Sequence, residues 1–322
     1  MSGHVLRFAW YRVRATFAAR RGGYLALVLV IGLVGGLALG AVAAARRTQS
    51  SFATYLASTN PSDLGVGTAV LNPAAGLDTG YNPGLVRTIA HLPHVERVST
   101  GVGIDVLPVA PNGAPVNDPY FPTTAGNGLG SVDGFGLTTD RLSVTEGRLP
   151  NAARADEVAM LAGPAAALHL HVGDRVLLGL YTNAQTLSPQ FGTAAVAPYR
   201  TVNARLVGLV VDSHTILADD IDSQATELAY FTPALTRQLL GCCVNYAETA
   251  VKVAGGARND AAVQNEIAGV IPAGTPLVIS NSRADTLAKA QRSLRPESIA
   301  LTVFGGIAAL AGLLIAGQVI GR

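Results

Sequence analysis

The sequence predicts an α/β membrane protein in which two transmembrane helices flank a large extracytoplasmic domain. Three observations predict it. Residues 24–45 and 299–321 run for 22 and 23 residues without a charged side chain. Charge is unevenly placed: residues 1–47 hold seven Arg and no acid, residues 48–298 hold 15 basic and all 21 acidic residues, and Arg322 is the remaining charge. Between the two apolar runs, short strand-like segments alternate with short helical ones. The 322-residue chain is 49% hydrophobic and only 14% charged, where an ordinary soluble domain carries about 25% charge. That balance excludes a disordered chain and a nucleic-acid binder. Two Cys exclude a disulfide-dense secreted scaffold.

As an α-helix, residues 24–45 cover roughly 33 Å, enough for a hydrocarbon core of roughly 30 Å. A cleaved signal peptide is the competing reading, and Ala41, Ala43, Ala44 and Ala45 resemble its cleavage site. Its apolar core, however, spans only about 7–15 residues, so a retained helix is expected. Residues 299–321, with Gln318 near one end, are too long and uniformly apolar for a buried core helix. Arg7, Arg12, Arg14, Arg20 and Arg21 precede the first span, and Arg46 and Arg47 follow it. Positive residues stay on the cytoplasmic side. The N-terminus is therefore expected in the cytoplasm of a plasma-membrane protein, with residues 46–298 outside.

Within residues 1–23, Val5, Phe8, Trp10, Val13 and Phe17 alternate with Arg at roughly helical spacing. This predicts a cytoplasmic amphipathic basic helix lying on the lipid bilayer, with Arg12, Arg14, Arg20 and Arg21 at the membrane interface. Gly32, Gly36 and Gly40 recur every fourth residue, and Ala308, Gly312 and Ala316 repeat the pattern more weakly. Small residues at this spacing predict helix-packing faces.

The outer region begins with a helix over 48–59, stopped by Asn60-Pro61, and a strand over 63–70. Asn82-Pro83 is an N-cap followed by Pro at the first helical position, opening a helix through Ile89. A strand follows over 95–107. Residues 109–215 are rich in Gly and Pro and carry short apolar runs at 156–161, 172–181 and 202–211, with one short helix over 164–169; they predict a mostly-β insert. Beyond it come a strand at 227–231, a helix from Thr232-Pro233 to Leu240, a strand at 248–254, a helix at 258–269, a strand at 276–280 and a helix at 283–295. The two α/β parts, 48–108 and 216–298, are expected to share one sheet with helices on one face.

Chemistry is sparse. There is no GxxxxGK[ST], GxSxG or HExxH run. Gly126, Gly128 and Gly130 lie in a Pro/Gly/Thr-rich stretch read as a flexible loop. The six His (His4, His91, His94, His169, His171 and His214) lack zinc-ligand spacing and suit helix ends and surface. Asp219, Asp220, Asp222 and Glu227 do not follow the calcium-loop pattern. Cys242 and Cys243 leave three states open: a vicinal disulfide, pairing with another chain, or two plain thiols, the last being favoured. The reading is of a non-enzyme with no cofactor and no metal.

The order of parts resembles the FtsX-like/MacB-like permease subunits of ABC transporters. Residues 20–52 resemble the first helix of long actinobacterial members, 86–99 a helix leading into a proline turn and strand, and 230–239 the start of a second α/β part. The most specific run is 144–178, through Glu146, Gly147, Arg148, Pro150, Asp156, Glu157, Val158, Leu168, Gly173, Asp174 and Val176. The resemblance implies a two-lobed outer domain: a porter-like lobe from 48–108 and 216–298 carrying the insert 109–215. It also implies a cytoplasmic ABC ATPase partner, a permease homodimer or pseudo-dimer, and use of ATP hydrolysis for export, lipoprotein handling or mechanotransmission. Family members have further membrane helices, so the sequence is expected to be the N-terminal portion of a longer permease. Two Lys against 21 Arg fits a high-GC bacterial source. A membrane-anchored sensor or ligand-binding protein is the alternative.

Overall fold

The computed structural model describes residues 10–11, 21–69, 80–116, 128–213, 228–272, 277–280 and 282–320. Most of the basic N-terminal segment, including Arg12, Arg14 and Arg20, lies outside them, as do His4, Gly126, His214 and the acidic residues 219–227. The chain divides into two compact units, Met1–Thr54 with Ala290–Arg322, and Tyr55–Lys289.

Helix α1 runs unbroken from Arg21 to Ser58. The expected separate helix at 48–59 is its continuation, because no Gly or Pro interrupts residues 41–59. The Ser50 and Thr54 hydroxyls donate to carbonyls one turn back, Arg46 at 3.1 Å and Ser50 at 2.9 Å, which satisfies these polar side chains within the helix.

The unit Tyr55–Lys289 contains, in chain order, β1 (Leu64–Ala69), α2 (Pro83–Ala90), β2 (Val95–Ile104), β3 (Val106–Pro108), β4 (Gly128–Ser131), β5 (Ser143–Gly147), β6 (Glu157–Leu161), α3 (Ala162–Ala167), β7 (Arg175–Leu180), α4 (Asn183–Thr186), β8 (Arg200–Val211), β9 (Ala229–Phe231), α5 (Pro233–Leu239), β10 (Val244–Val253), α6 (Asp260–Val270) and β11 (Leu277–Ser280). Helix α7 (Ser282–Ile320) follows. Among the described residues the strands form one sheet in the order β11-β1-β10-β2-β4-β9-β6-β8-β7-β3, with β5 added to β8. Pairing is antiparallel except for β4–β9 and β6–β8.

Strand β10 joins the two α/β parts, since Thr249 faces Val66 of β1 on one side and Thr100 of β2 on the other. Helices α2 and α6 bury Ile89, Val263 and Ile267 against Leu64, Val66 and Val251. Farther along the sheet, Ile104, Val158, Leu178, Leu206 and Leu235 share one core, and Leu129, Phe135, Ala159 and Tyr230 share another. Local chemistry starts the helices. The Asn82 side chain accepts from the N–H groups of Gly84 and Leu85, with Pro83 at the first position. Thr232 does the same for Leu235 ahead of α5.

Three strand regions differ from the sequence reading. Gly128–Ser131 is not a flexible loop but the fully buried strand β4, between β2 and β9. Its glycines make room for neighbours: a Cβ at Gly128 would stand 2.5 Å from the Phe231 ring, and one at Gly130 2.6 Å from Ile104 and Thr236. Strand β5 went unread because its burial is intermediate to exposed throughout, leaving no apolar alternation to see. The expected strand 95–107 breaks at Asp105, whose N–H bonds the Cys243 carbonyl at 3.1 Å while its own carbonyl accepts from Tyr181 at 2.9 Å. That break lets β2 pair with β10 and β3 with β7.

Helix α7 carries Pro296 in its interior. The proline withholds one backbone donor, yet the helix continues, joining the expected segments 283–295 and 299–321. Both long helices contain stretches long and apolar enough to cross a membrane, with mean hydropathy 2.4 and 2.2.

Candidate functional site at the roots of the two long helices

Residues 59–63 join the end of α1 to β1, and the bonds around them tie both helix ends to the sheet. Thr59 donates its N–H to Leu56 O at 3.1 Å. Asn60 then turns left-handed at φ 55°, a conformation Asn tolerates. Carbonyls at a helix end need outside donors. Here the Arg141 guanidinium reaches Ser58 O at 3.1 Å and the Arg141 N–H reaches Thr59 O at 2.8 Å. The Asn60 amide donates to Thr138 O at 2.7 Å, Asp140 Oδ1 accepts from Ser62 N–H at 2.8 Å, and Ser143 Oγ donates to the Tyr55 hydroxyl at 3.1 Å. The loop 138–143 is thus the cap of α1.

The first turn of α7 is held by Asp63, which is 3% exposed. Asp63 Oδ2 accepts from Lys252 Nζ and the Val253 N–H, each at 3.0 Å, and Arg283 Nη1 stands 3.4 Å from Oδ1. Lys252 also donates to Pro61 O at 3.1 Å. Burying a polar side chain this deeply is costly unless its oxygens find hydrogen-bonding partners, as both do here. Nearby, burial pushes the Asp260 carboxyl up from its ordinary value, with the Asp63 charge adding to it and Lys252 and Arg283 opposing it. Asp63, Lys252 and Arg283 escaped the sequence reading because they lie up to 220 positions apart. The one local signal is a Lys inside the apolar strand sequence Ala250–Val253.

The sequence-predicted residues fall as follows. In the unit formed by Met1–Thr54 and Ala290–Arg322, a Cβ at Gly312 would stand 2.9 Å from Val34, and one at Gly305 3.1 Å from Ala38 O and 3.3 Å from Ala41. Ala38, Ala41 and Ala45 are buried, and Gln49 Nε2 donates to Ser298 Oγ at 3.1 Å. Gly305 was not singled out from sequence, although it lies three and seven positions before Ala308 and Gly312 and so shares their face. Ala308 is half-buried. Ala316 and Arg21 are described only as backbone within their helices. Gly32, Gly36 and Gly40 have no neighbour within 4 Å of an added Cβ; they point away from the contact between α1 and α7.

The 144–178 run is a structural clamp. Arg148 holds Glu157 with two bonds of 2.8 and 2.7 Å, and the Asn151 N–H adds a third at 2.9 Å. Arg154 bridges Asp156 at 2.8 Å and Glu157 at 3.3 Å. The Arg148 hydrogen bond is the main reason the Glu157 carboxyl lies below its ordinary value, against the effect of its burial. Gly147, at φ 73°, leaves no room for a side chain beside the Val207 carbonyl. Asp174 accepts from the His171 N–H at 2.8 Å.

Cys242 and Cys243 are joined in a vicinal disulfide, in place of the favoured pair of thiols. They occupy the turn between α5 and β10, which brings their sulfurs together. His91 Nδ1 lies 2.7 Å from Arg87 O at the end of α2, and His94 and His169 sit at positive-φ turns. Among the described residues no group of three or more His, Cys, Asp or Glu is placed to hold a metal ion. The chemistry these roots offer is positional: they fix two helix ends to one sheet.

Fold and site together define a class, an α/β domain carried between two membrane-spanning helices whose roots are bonded into its sheet. No family model and no curated protein matches the chain. It is similar to the periplasmic region of MacB from Actinobacillus actinomycetemcomitans, at 11% identity and TM-score 0.39, over 70% of this chain and 92% of that one. It is also similar to the extracellular domain of the noncanonic ABC-type transporter YknZ from Gram-positive bacteria, at 10% identity and TM-score 0.38, over 67% and 98%. Similarities this low assign the chain neither activity nor partner.

Proposed function

We propose that the chain belongs to a permease subunit of an ABC transporter of the FtsX-like/MacB-like type. The N-terminus is cytoplasmic, and residues 46–298 form the extracytoplasmic domain, with a porter-like lobe from 48–108 and 216–298 and an insert at 109–215. The vicinal disulfide accords with an oxidising outer compartment. A cytoplasmic ABC ATPase moves the membrane helices, and the helix roots deliver that movement to the outer domain. Gly32, Gly36 and Gly40 face a neighbouring helix of a permease dimer or pseudo-dimer. The role is mechanical, in export, lipoprotein handling or mechanotransmission, and not catalytic.

The observation that carries this reading is the pair of roots. Arg141 reaches the Ser58 carbonyl at the end of α1, and Arg283, in the first turn of α7, stands against Asp63. A passive anchor needs no such fixture. Affinity purification of the protein from its native membrane tests the proposal. An ABC-type ATPase subunit recovered in stoichiometric amount, with ATP hydrolysis in the recovered complex, is the expected result. Recovery without any nucleotide-binding subunit would contradict it.

A further inference from the structure

We propose that the Cys242–Cys243 disulfide is a thiol-exchange site: a dithiol reductant opens it at Cys242, and opening frees the turn that holds Asp105 at the break between β2 and β3. The inference is independent of the transport reading. Both cysteine N–H groups bond the Leu239 carbonyl at the end of α5, at 3.1 and 3.2 Å. The two residues differ in access. Cys243 is fully buried in the core with Ile104, Val106 and Leu180, whereas Cys242 is half-buried and packs against that core. Access helps decide which sulfur of a disulfide an incoming thiolate attacks, and here it selects Cys242.

The ring formed by joining neighbouring cysteines holds the peptide between them, and with it the direction of the Cys243 carbonyl. That carbonyl accepts from the Asp105 N–H at 3.1 Å, and the Asp105 carbonyl accepts from the Tyr181 N–H at 2.9 Å. The turn thus stands where β2 and β3, the end of β7 and the start of β10 meet. No unbroken ladder holds it there, because the register of β10 against β2 shifts between Val244 and Tyr246. Side-chain bonds span the gap, from the Asn183 amide to Val244 O at 2.9 Å and from the Asn245 amide to Asp105 Oδ1 at 2.7 Å. Breaking the S–S bond returns torsional freedom to Cys242 and Cys243, and the first bond to feel it is the one from Asp105.

The exchange runs in two displacements. One thiolate of the dithiol attacks Cys242 Sγ, a new S–S bond forms to it, the Cys242–Cys243 bond breaks, and the electron pair leaves on Cys243 Sγ. The second thiolate then attacks the reductant's own sulfur in that mixed disulfide, and the electron pair leaves on Cys242 Sγ. The protons given up by the dithiol are taken up by the two cysteine sulfurs. The cysteines are reduced to thiols, and the dithiol is oxidised to its disulfide.

Dithiothreitol treatment of the purified full chain in detergent, followed by thiol counting, thermal unfolding and hydrogen-exchange mass spectrometry, tests the site. Both cysteines are expected to appear as free thiols below the unfolding transition. The Asp105 and Tyr181 amides should then exchange at least about tenfold faster than in the oxidised chain, through easier local opening, while the Val66 amide in the β1–β10 ladder is unchanged. Single variants separate the two sulfurs. The thiol left in Cys243→Ala should react with a maleimide at least about tenfold faster than the one left in Cys242→Ala, which must wait for local opening. Thermal unfolding of each variant reports its folding. If either is misfolded, the mixed disulfide that the parent forms with glutathione, located by peptide mapping, replaces this comparison and is expected on Cys242. Thiols that appear only with unfolding overturn the proposal, as do unchanged Asp105 exchange in a folded, reduced chain and faster reaction at Cys243.

Discussion

Arg283, in the first turn of α7, reaches back to Asp63, just past the end of α1: its guanidinium stands 3.4 Å from Oδ1 and its backbone nitrogen 3.5 Å from the Asp63 carbonyl. Lys252 completes the node at 3.0 Å. The start of one long helix is thereby fixed to the residue that follows the other.

Asp63→Ala removes the acceptor for Lys252, Arg283 and the Val253 N–H together. Removing one partner of a buried pair costs about 3 kcal/mol or more; the partial exposure of Arg283 holds the loss near the lower end. Denaturant unfolding of the full chain should show it. Lys252→Met, which leaves Arg283 on Asp63, should cost less. Equal stability of Asp63→Ala and the parent would remove the node from the account.

Glu157 predicts a pH signature. Its folded pKa lies below the ordinary carboxylate value, chiefly through the Arg148 hydrogen bond. The stability it supplies is present above the unfolded value and is lost as pH falls through the folded one. Glu157→Gln should therefore be less stable than the parent at neutral pH, and the gap should narrow as pH falls below the ordinary carboxylate range. Unfolding midpoints at neutral and acid pH measure this; a constant gap would show that charge is not the cause.

The membrane helices offer a paired test. Gly305→Leu drives a side chain into Ala38 and Ala41, whereas Gly36→Leu enters open space. Overpacking costs roughly 1–3 kcal/mol. Spin labels at the exposed Ala44 and Ala309 should give a longer, broader distance distribution in Gly305→Leu and an unchanged one in Gly36→Leu. The reverse order would exchange the roles of the two glycine faces.

Much of the architecture was legible because local chemistry marks it. Asn82-Pro83 and Thr232-Pro233 announce helix starts, and the two uncharged runs announce the spans. What was not legible depends on distant neighbours. Gly128 and Gly130 read as loop residues because a glycine under Phe231 looks the same in sequence as a glycine in a turn. Strand β5 is exposed and carries no alternation. Asp63 reads as one acid among 21 until β10 and α7 bring Lys252 and Arg283 to it. The 144–178 run was recognised by resemblance, but its physical content, Arg148 and Arg154 closing on Glu157, came only with the fold.

The central claim is that ATP-driven movement of the membrane helices reaches the outer domain through the roots. It is tested most directly by the distance between nitroxide labels at Ala284, in the first turn of α7, and Ala194, in the loop before β8, in the complex with the proposed ATPase. The account predicts a distance distribution that shifts on ATP addition in the parent and does not shift in Asp63→Ala, although that variant still assembles and hydrolyses ATP. A distribution unchanged by ATP in an actively hydrolysing parent complex, or an equal shift in Asp63→Ala, would contradict it.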